Sequence, residues 1–241
     1  MAQGICAPRV TARAHEILSG IKILQNPYLT GLKDGTVSMD CFRTTQEQFY
    51  FAVDFYPRPM AALVGRIPDP VARLEILRNV VEEHGEFRMD AFHRNTFRRF
   101  LESLGSKVER IDALWLWPEV RAFNSVLTTA CVFDEIEVGV GCLGIIELAF
   151  SGISSVIANA VVERGWVKRE SLTHYSVHAE LDVRHADDFF AVLEPVWDDA
   201  SRKYFIEQGL QLGAYAFDRL YRDLHASAKR AMANGAPDAL M

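Results

Sequence analysis

Apolar residues recur three and four positions apart along almost the whole chain, a spacing that predicts one helix after another. Val10, Ala14, Ile17, Ile21 and Leu24 mark the first, over 9–24, and Asn26 with Pro27 breaks it. A short piece at 28–32 precedes a turn at Lys33, Asp34 and Gly35, and an aromatic-rich helix then spans about 44–66, kinked or divided by Pro57 and Pro59. Pro68, Asp69 and Pro70 turn the chain into a helix over about 71–86. Another covers about 90–104, with Gly105 as its C-terminal cap. After Trp115, Trp117 and Pro118 a further helix runs to about residue 133. Residues 138–163 are the most apolar segment, rich in small residues that let neighbouring helices approach, and they read as a central buried helix with one charge, Glu147, in its middle. A helix over about 170–193 is ended or kinked by Pro195, and a last amphipathic helix extends to about 231. No hairpin series, internal repeat or low-complexity segment interrupts this pattern. The expectation is an all-α bundle of seven or more helices in a single domain over 1–241, frayed at 1–8 and 232–241.

Composition narrows the function classes. The chain has 241 residues, 49% hydrophobic and 24% charged, enough to bury a sizeable core as one large domain. Its net charge is −6 with the basic residues scattered, so no nucleic-acid footprint is expected. Cys6, Cys41, Cys131 and Cys142 show neither CxxC nor finger-like spacing, which argues against a zinc knuckle or a redox pair. The first residues carry no signal-peptide core, and no apolar run reads as long and unbroken enough to span a bilayer, so no membrane partner and a cytoplasmic location are expected.

The candidate chemistry lies in three stretches. On a helix, His178, Asp182 and His185 fall close to one line along one face. Two imidazoles and a carboxylate on a partly buried face need compensation, and a metal ion supplies it; a solvated face with a His–Asp hydrogen bond is the plain alternative. Glu147 stands in a helix apolar on every side, where a carboxylate needs a metal or an arginine or backbone partner. Glu83 ends one helix and His93 opens the next, although His93 alone reads as a solvent-facing helix start, and Glu82, Glu83 and Glu86 are not told apart by spacing. Three carboxylates and three histidines on facing helices follow the logic of a carboxylate-bridged di-iron site. Mixed nitrogen and oxygen donors suit iron or manganese without excluding copper or zinc. The paired Glu-x-x-His motifs of ferritin-type bundles are absent from these helices.

Taken together, NVVEE at 79–83, FHRNTFRRFLESLG at 92–105, Glu147 and HAELDVRH at 178–185 resemble the haem-oxygenase-like di-iron oxidases and oxygenases, relatives of the TenA and PqqC proteins. The resemblance covers about residues 25–195 and implies a haem-oxygenase-like helical bundle. It also implies Glu83, His93, Glu147, His178, Asp182 and His185 as the ligands of two Fe(II) ions, Glu83 bridging, one ion held weakly, and O2 as co-substrate. Glu47 and Asp54, in the early helix where some members draw another carboxylate, are out of register. Reactions implied by the resemblance are N-oxygenation of amines and oxidative C–C cleavage or desaturation of amino acids and fatty acids, here expected on a small amino-acid- or amine-derived metabolite, with room for an external electron donor and a homodimer. Phe49, Phe51, Phe55, Tyr56 and Phe150 are candidates to line the pocket, and Arg184 is expected in a salt bridge. One branch makes para-aminobenzoate by sacrificing its own tyrosine, with a lysine downstream of the central-helix Glu. Ile157 stands in place of that lysine and the tyrosine near Tyr28 is one residue out of register, which points away from that branch. Two other readings share the fold: a metal-independent cofactor-biosynthesis enzyme, whose nucleophile would be Cys131 or Cys142, and a non-enzymatic interaction protein.

Overall fold

The computed structural model describes residues 7–172 and 174–233, apart from the side chains of residues 177–181. Among the described residues there are ten α-helices and no strand: α1 (Pro8–Ile21), α2 (Pro27–Asp34), α3 (Met39–Phe55), α4 (Pro57–Arg66), α5 (Pro70–Glu83), α6 (His93–Ser103), α7 (Pro118–Thr128), α8 (Ile136–Glu163), α9 (Tyr175–Leu193) and α10 (Ala200–Ala233). Proline opens five of them, α1, α2, α4, α5 and α7, where its missing N–H is no loss. The capping side chains are local in sequence. Asn26 accepts from the Tyr28 N–H, Ser38 from Cys41, and Asp69 from Val71 and Ala72.

The central apolar segment is α8, packed chiefly against α9 and α10, with α2, α4 and α7 completing its surround. Its small residues are used as their spacing suggests. A Cβ on Gly213 of α10 would come within 2.7 Å of Ile145 Cγ2 and 3.0 Å of Cys142 Cα. A Cβ on Gly144 would meet the Phe190 ring of α9 at 2.7 Å. These three helices therefore approach more closely than larger side chains would allow. An aromatic layer of Phe49, Phe97, Phe150, Phe217 and Tyr221 fills the space toward α3, α6 and α10.

Several boundaries differ from expectation. Pro8, read as part of a loose terminus, begins α1, and the expected fraying at 1–6 and 234–241 lies outside the described residues. The helix over 44–66 starts earlier, at Met39, because Ser38 caps it, and Pro57 divides it into α3 and α4. The helix expected over 90–104 begins at His93, after two short 3-10 turns at Gly85–Phe87 and Met89–Ala91. Helix α8 is long and apolar enough to cross a membrane, contrary to the expectation that no run would be, yet 78% of its most apolar window is buried inside the protein. That burial is the pattern of a core helix.

Candidate metal centre

Helices α5, α6, α8 and α9 place five of the six expected ligands together. Glu83 at the end of α5, Glu147 in the middle of α8 and His185 on α9 each offer an atom within 4.8 Å of the other two, and all three side chains are buried. His185 Nδ1 lies 3.7 Å from Glu147 Oε2 and 3.8 Å from Asp182 Oδ1. His93 Nδ1 is 2.9 Å from Glu83 Oε1. His93 is thus buried at the head of α6 rather than facing solvent. His178 is on α9, but its side chain lies outside the described residues. Asp54, out of register by sequence, faces Arg94 at 3.2 Å instead of this cluster.

The electrostatics are those of a centre built around an added positive charge. Burial raises the Glu147 carboxyl above its ordinary range, and burial holds Asp182 well above its own. Burial opposes charge on His185, but the carboxylates of Glu147 and Glu82 outweigh it and push the imidazole up to about 11. Glu147 Oε1 and His185 Nδ1 have no hydrogen-bond partner among the described residues. Leaving such atoms buried and unbonded costs about 1–3 kcal/mol each. A divalent cation fits the donor set: two carboxylates and an imidazole from three helices, buried and within 4.8 Å of one another.

Glu82 was not separable from its neighbours by sequence. It bonds His185 Nε2 at 2.7 Å and also pairs with Arg184, and the His185 bond, against the effect of burial, lowers its carboxyl to about 2. Arg184 is therefore in a salt bridge, as expected. A carboxylate on the outer ring nitrogen leaves Nδ1 to face the centre, the arrangement that fixes the tautomer of a metal-bound histidine. Glu86, the third glutamate of the group, is exposed in a left-handed turn (φ 52°).

Beside the cluster lies an apolar chamber of about 50 Å³, room for a few water-sized molecules, with Glu83, Glu147, Tyr56, Phe49, Phe150 and Phe217 in its wall. Of the aromatic candidates, Phe51 and Phe55 are absent from this wall, because their positions on α3 turn them to Tyr50 and Arg58. His174 also faces the chamber, its Nδ1 3.3 Å from Thr96 Oγ1. It precedes α9 in a turn, and no periodicity marks it. The Tyr56 hydroxyl is enclosed, so burial, then the charge of Glu147, keeps its proton on well above the ordinary range, and it donates to Leu143 O at 3.4 Å. Cys142 is buried with its thiol pushed up to about 12, and burial also raises Cys131. Neither lines the chamber, so both are inert thiols in the core.

Comparison with known proteins follows the same lines. Residues 43–216, which include Glu83, His93, Glu147, Asp182 and His185, match the model of a family described as iron-containing redox enzyme. A 4-aminobenzoate synthase of Chlamydia muridarum is 22% identical over 188 residues, 78% of each chain. A solved structure from Shewanella denitrificans, described as a domain of unknown function with a heme oxygenase-like fold, has a TM-score of 0.75 at 16% identity, covering 97% of this chain and 96% of that one. A CADD-like protein of unknown function from Nostoc punctiforme has a TM-score of 0.76 at 14% identity, covering 92% and 98%. These structures share the all-α, haem-oxygenase-like fold. With the family match spanning most of its length, this chain belongs to the iron-containing redox enzyme family and is an oxidoreductase.

Proposed function

We propose that the protein is a non-haem di-iron oxygenase or oxidase that holds two irons with Glu83, His93, Glu147, His178, Asp182 and His185. Its substrate would be a small amino-acid- or amine-derived metabolite, oxidised by N-oxygenation, C–C cleavage or desaturation. The observation that carries this reading is the convergence of Glu83, Glu147 and His185 within 4.8 Å, buried, with Asp182 and His93 against them. Bound iron would supply the electrons and the Lewis acidity that O2 reduction needs.

The rest of the chemistry falls to the chain. Glu82 holds the outer nitrogen of His185, so the ring presents Nδ1 inward. Phe49, Phe150 and Phe217 give the chamber an apolar wall, beside which charge interactions are screened less than in water. The Tyr56 hydroxyl keeps its proton at neutral pH and stands on the chamber wall as a hydrogen-bond donor. Anaerobic addition of Fe(II) in increasing equivalents, followed by O2 in a stopped-flow spectrometer, tests the reading. A transient visible absorbance that saturates near two irons per chain is expected; absence of iron uptake would refute it.

The name of the curated relative favours a second reading, self-sacrificing synthesis of 4-aminobenzoate. Against it, Ile157 is a fully buried apolar residue of α8. Tyr28 is fully buried too, bonded to Thr45 Oγ1 at 2.7 Å and to Gln46 Nε2 at 2.9 Å. Intact-mass measurement after one aerobic turnover separates the two readings. A mass loss confined to one tyrosine, with 4-aminobenzoate released, would establish the second.

A further inference from the structure

The wall of the chamber that carries Glu83 and Val53 has a second side. Both residues also line an outer vestibule of about 470 Å³, whose other walls include Arg58, Arg94, Arg98 and Asn95. The two spaces are therefore neighbours across one metal-ligand candidate. One is apolar and lined by aromatic rings, and the other is mixed in polarity and rimmed by guanidinium groups.

The charge of the vestibule is incomplete. Asp54 pairs with Arg58 at 3.4 Å and with Arg94 at 3.2 Å, and Asp112 pairs with Arg94 at 3.2 Å and Arg98 at 2.9 Å. Three guanidinium groups thus share two carboxylates, in a protein whose overall charge is −6. Glu83 does not balance them, because its carboxylate is turned to His93 and the buried centre. A concentration of positive charge in one concavity of an acidic protein draws in anions and holds them. Arginine forks match carboxylates and phosphates bidentately, and the apolar chamber beyond favours a carboxylate carrying an apolar chain.

We propose that the vestibule is the substrate's anion site: it takes the carboxylate of a small molecule whose apolar chain passes Val53 and Glu83 into the chamber. Arg58 and Arg94 grip the carboxylate, and Arg98, which also bonds the Val108 carbonyl, braces Asp112 behind them. The chamber of about 50 Å³ admits only the slim end of such a molecule. The proposal deepens the reading above and rests on it for the position of the metal. It requires that the oxidised carbon or nitrogen lie at the end remote from the carboxylate.

The test uses octanoate as probe, with octanol and octylamine as neutral and cationic controls, titrated calorimetrically into metal-free and iron-loaded protein. Octanoate is expected to bind both forms, about tenfold or more tightly than octanol, and more weakly as salt is raised. Octylamine is expected not to bind. Arg94→Gln and Arg58→Glu should each weaken octanoate by about tenfold. Arg58 is two-thirds exposed and, among the described residues, forms an ion pair with Asp54 on the preceding turn and lies over the Phe55 ring, so its variant should fold even where loss of Arg94 disturbs the Asp112 pairing. Octanoate affinity unchanged in Arg58→Glu, or equal affinity for octylamine, overturns the proposal. So does binding confined to iron-loaded protein and indifferent to both arginines, since the carboxylate then sits on the metal. Iron uptake is measured in parallel. Normal uptake without octanoate binding removes the anion site alone, and octanoate binding without iron uptake removes the metal reading alone.

Discussion

Where α8 meets α10, glycine lies against backbone. A Cβ at Gly209 would stand 2.8 Å from Val138 Cα, and one at Gly213 would stand 3.0 Å from Cys142 Cα. Where the same helix meets α9 and α5, Glu147 faces His185, Asp182 and Glu83 with one of its oxygens unbonded among the described residues. The first face gains dispersion contacts at every turn. The second buries carboxylates that burial itself drives toward protonation. One helix therefore carries the fold's cohesion on one side and, on the other, faces a cluster whose carboxylates cost the fold stability when ionised until a cation joins them.

The largest effect should come from Glu147→Gln. The amide keeps the shape but not the charge, and iron retention should fall by more than the roughly 100-fold that an outer carboxylate commands. At alkaline pH, as the His185 imidazolium is lost, the metal-free variant should be no less stable than wild type, and that pairing of outcomes is the sharpest check on the comparison. The pH dependence adds a sign. Raised folded-state values at Glu147, Asp182 and His185 mean that the folded protein binds their protons more tightly than the unfolded chain does. For His185 that stability is whole below about 6.5 and is lost as pH rises toward about 11. Thermal melts of metal-free protein should therefore fall through this window, and the fall should be shallower in Glu147→Gln. A lower melting temperature for the variant at all pH values would place Glu147 with the cohesive groups.

Gly213→Ala tests the other face. One methyl against the backbone of α8 should cost about 1–3 kcal/mol, which is about 2–4 °C of melting temperature per kcal/mol in a chain of this size. Iron stoichiometry at saturation should remain that of wild type. If the variant melts normally but loses iron, the two faces of α8 are not separable.

The sequence carried the cohesive face more fully than the reactive one. Glycines spaced through 138–163, Pro70 at a helix start and a lone Glu147 are local signals, and each became the expected feature of α8 or its neighbours, whereas Pro8, Pro27 and Pro57, read as terminus, break and kink, open helices too. Glu82 against Glu83 is a difference of 100° around α5, and only the position of α9 decides which of them meets the outer nitrogen of His185. His174 and the arginine vestibule gather residues from α3, α4, α6 and a turn, so no window of sequence contains them. Phe51 and Phe55 failed as chamber residues for the same reason: aromatic spacing on α3 marks burial without saying against which neighbour.

Glu82→Ala should have a middling effect. It leaves the inward donors in place but frees the outer nitrogen of His185, so iron affinity should drop roughly 10–100-fold. Competition with a chelator measures it. Because Glu82 is partly exposed and also bound to Arg184, the melting temperature should move little. Affinity equal to wild type would mean that the ring is oriented by packing alone.

The smallest structural effect is expected from Tyr56→Phe, and it probes the boundary between the two faces. The hydroxyl reaches the Leu143 carbonyl, one turn before Glu147 on α8, at 3.4 Å. So long a bond contributes less than about 1 kcal/mol, so the variant should melt close to wild type and bind the same iron. Oxygen consumption by the iron-loaded protein should nevertheless slow, because the chamber loses a donor whose proton stays on across the neutral range. A loss of several degrees with unchanged oxygen consumption would make Tyr56 a brace for α8. Slower oxygen consumption at constant stability assigns its hydroxyl to the reactive face, whose groups are retained for chemistry at some expense in cohesion.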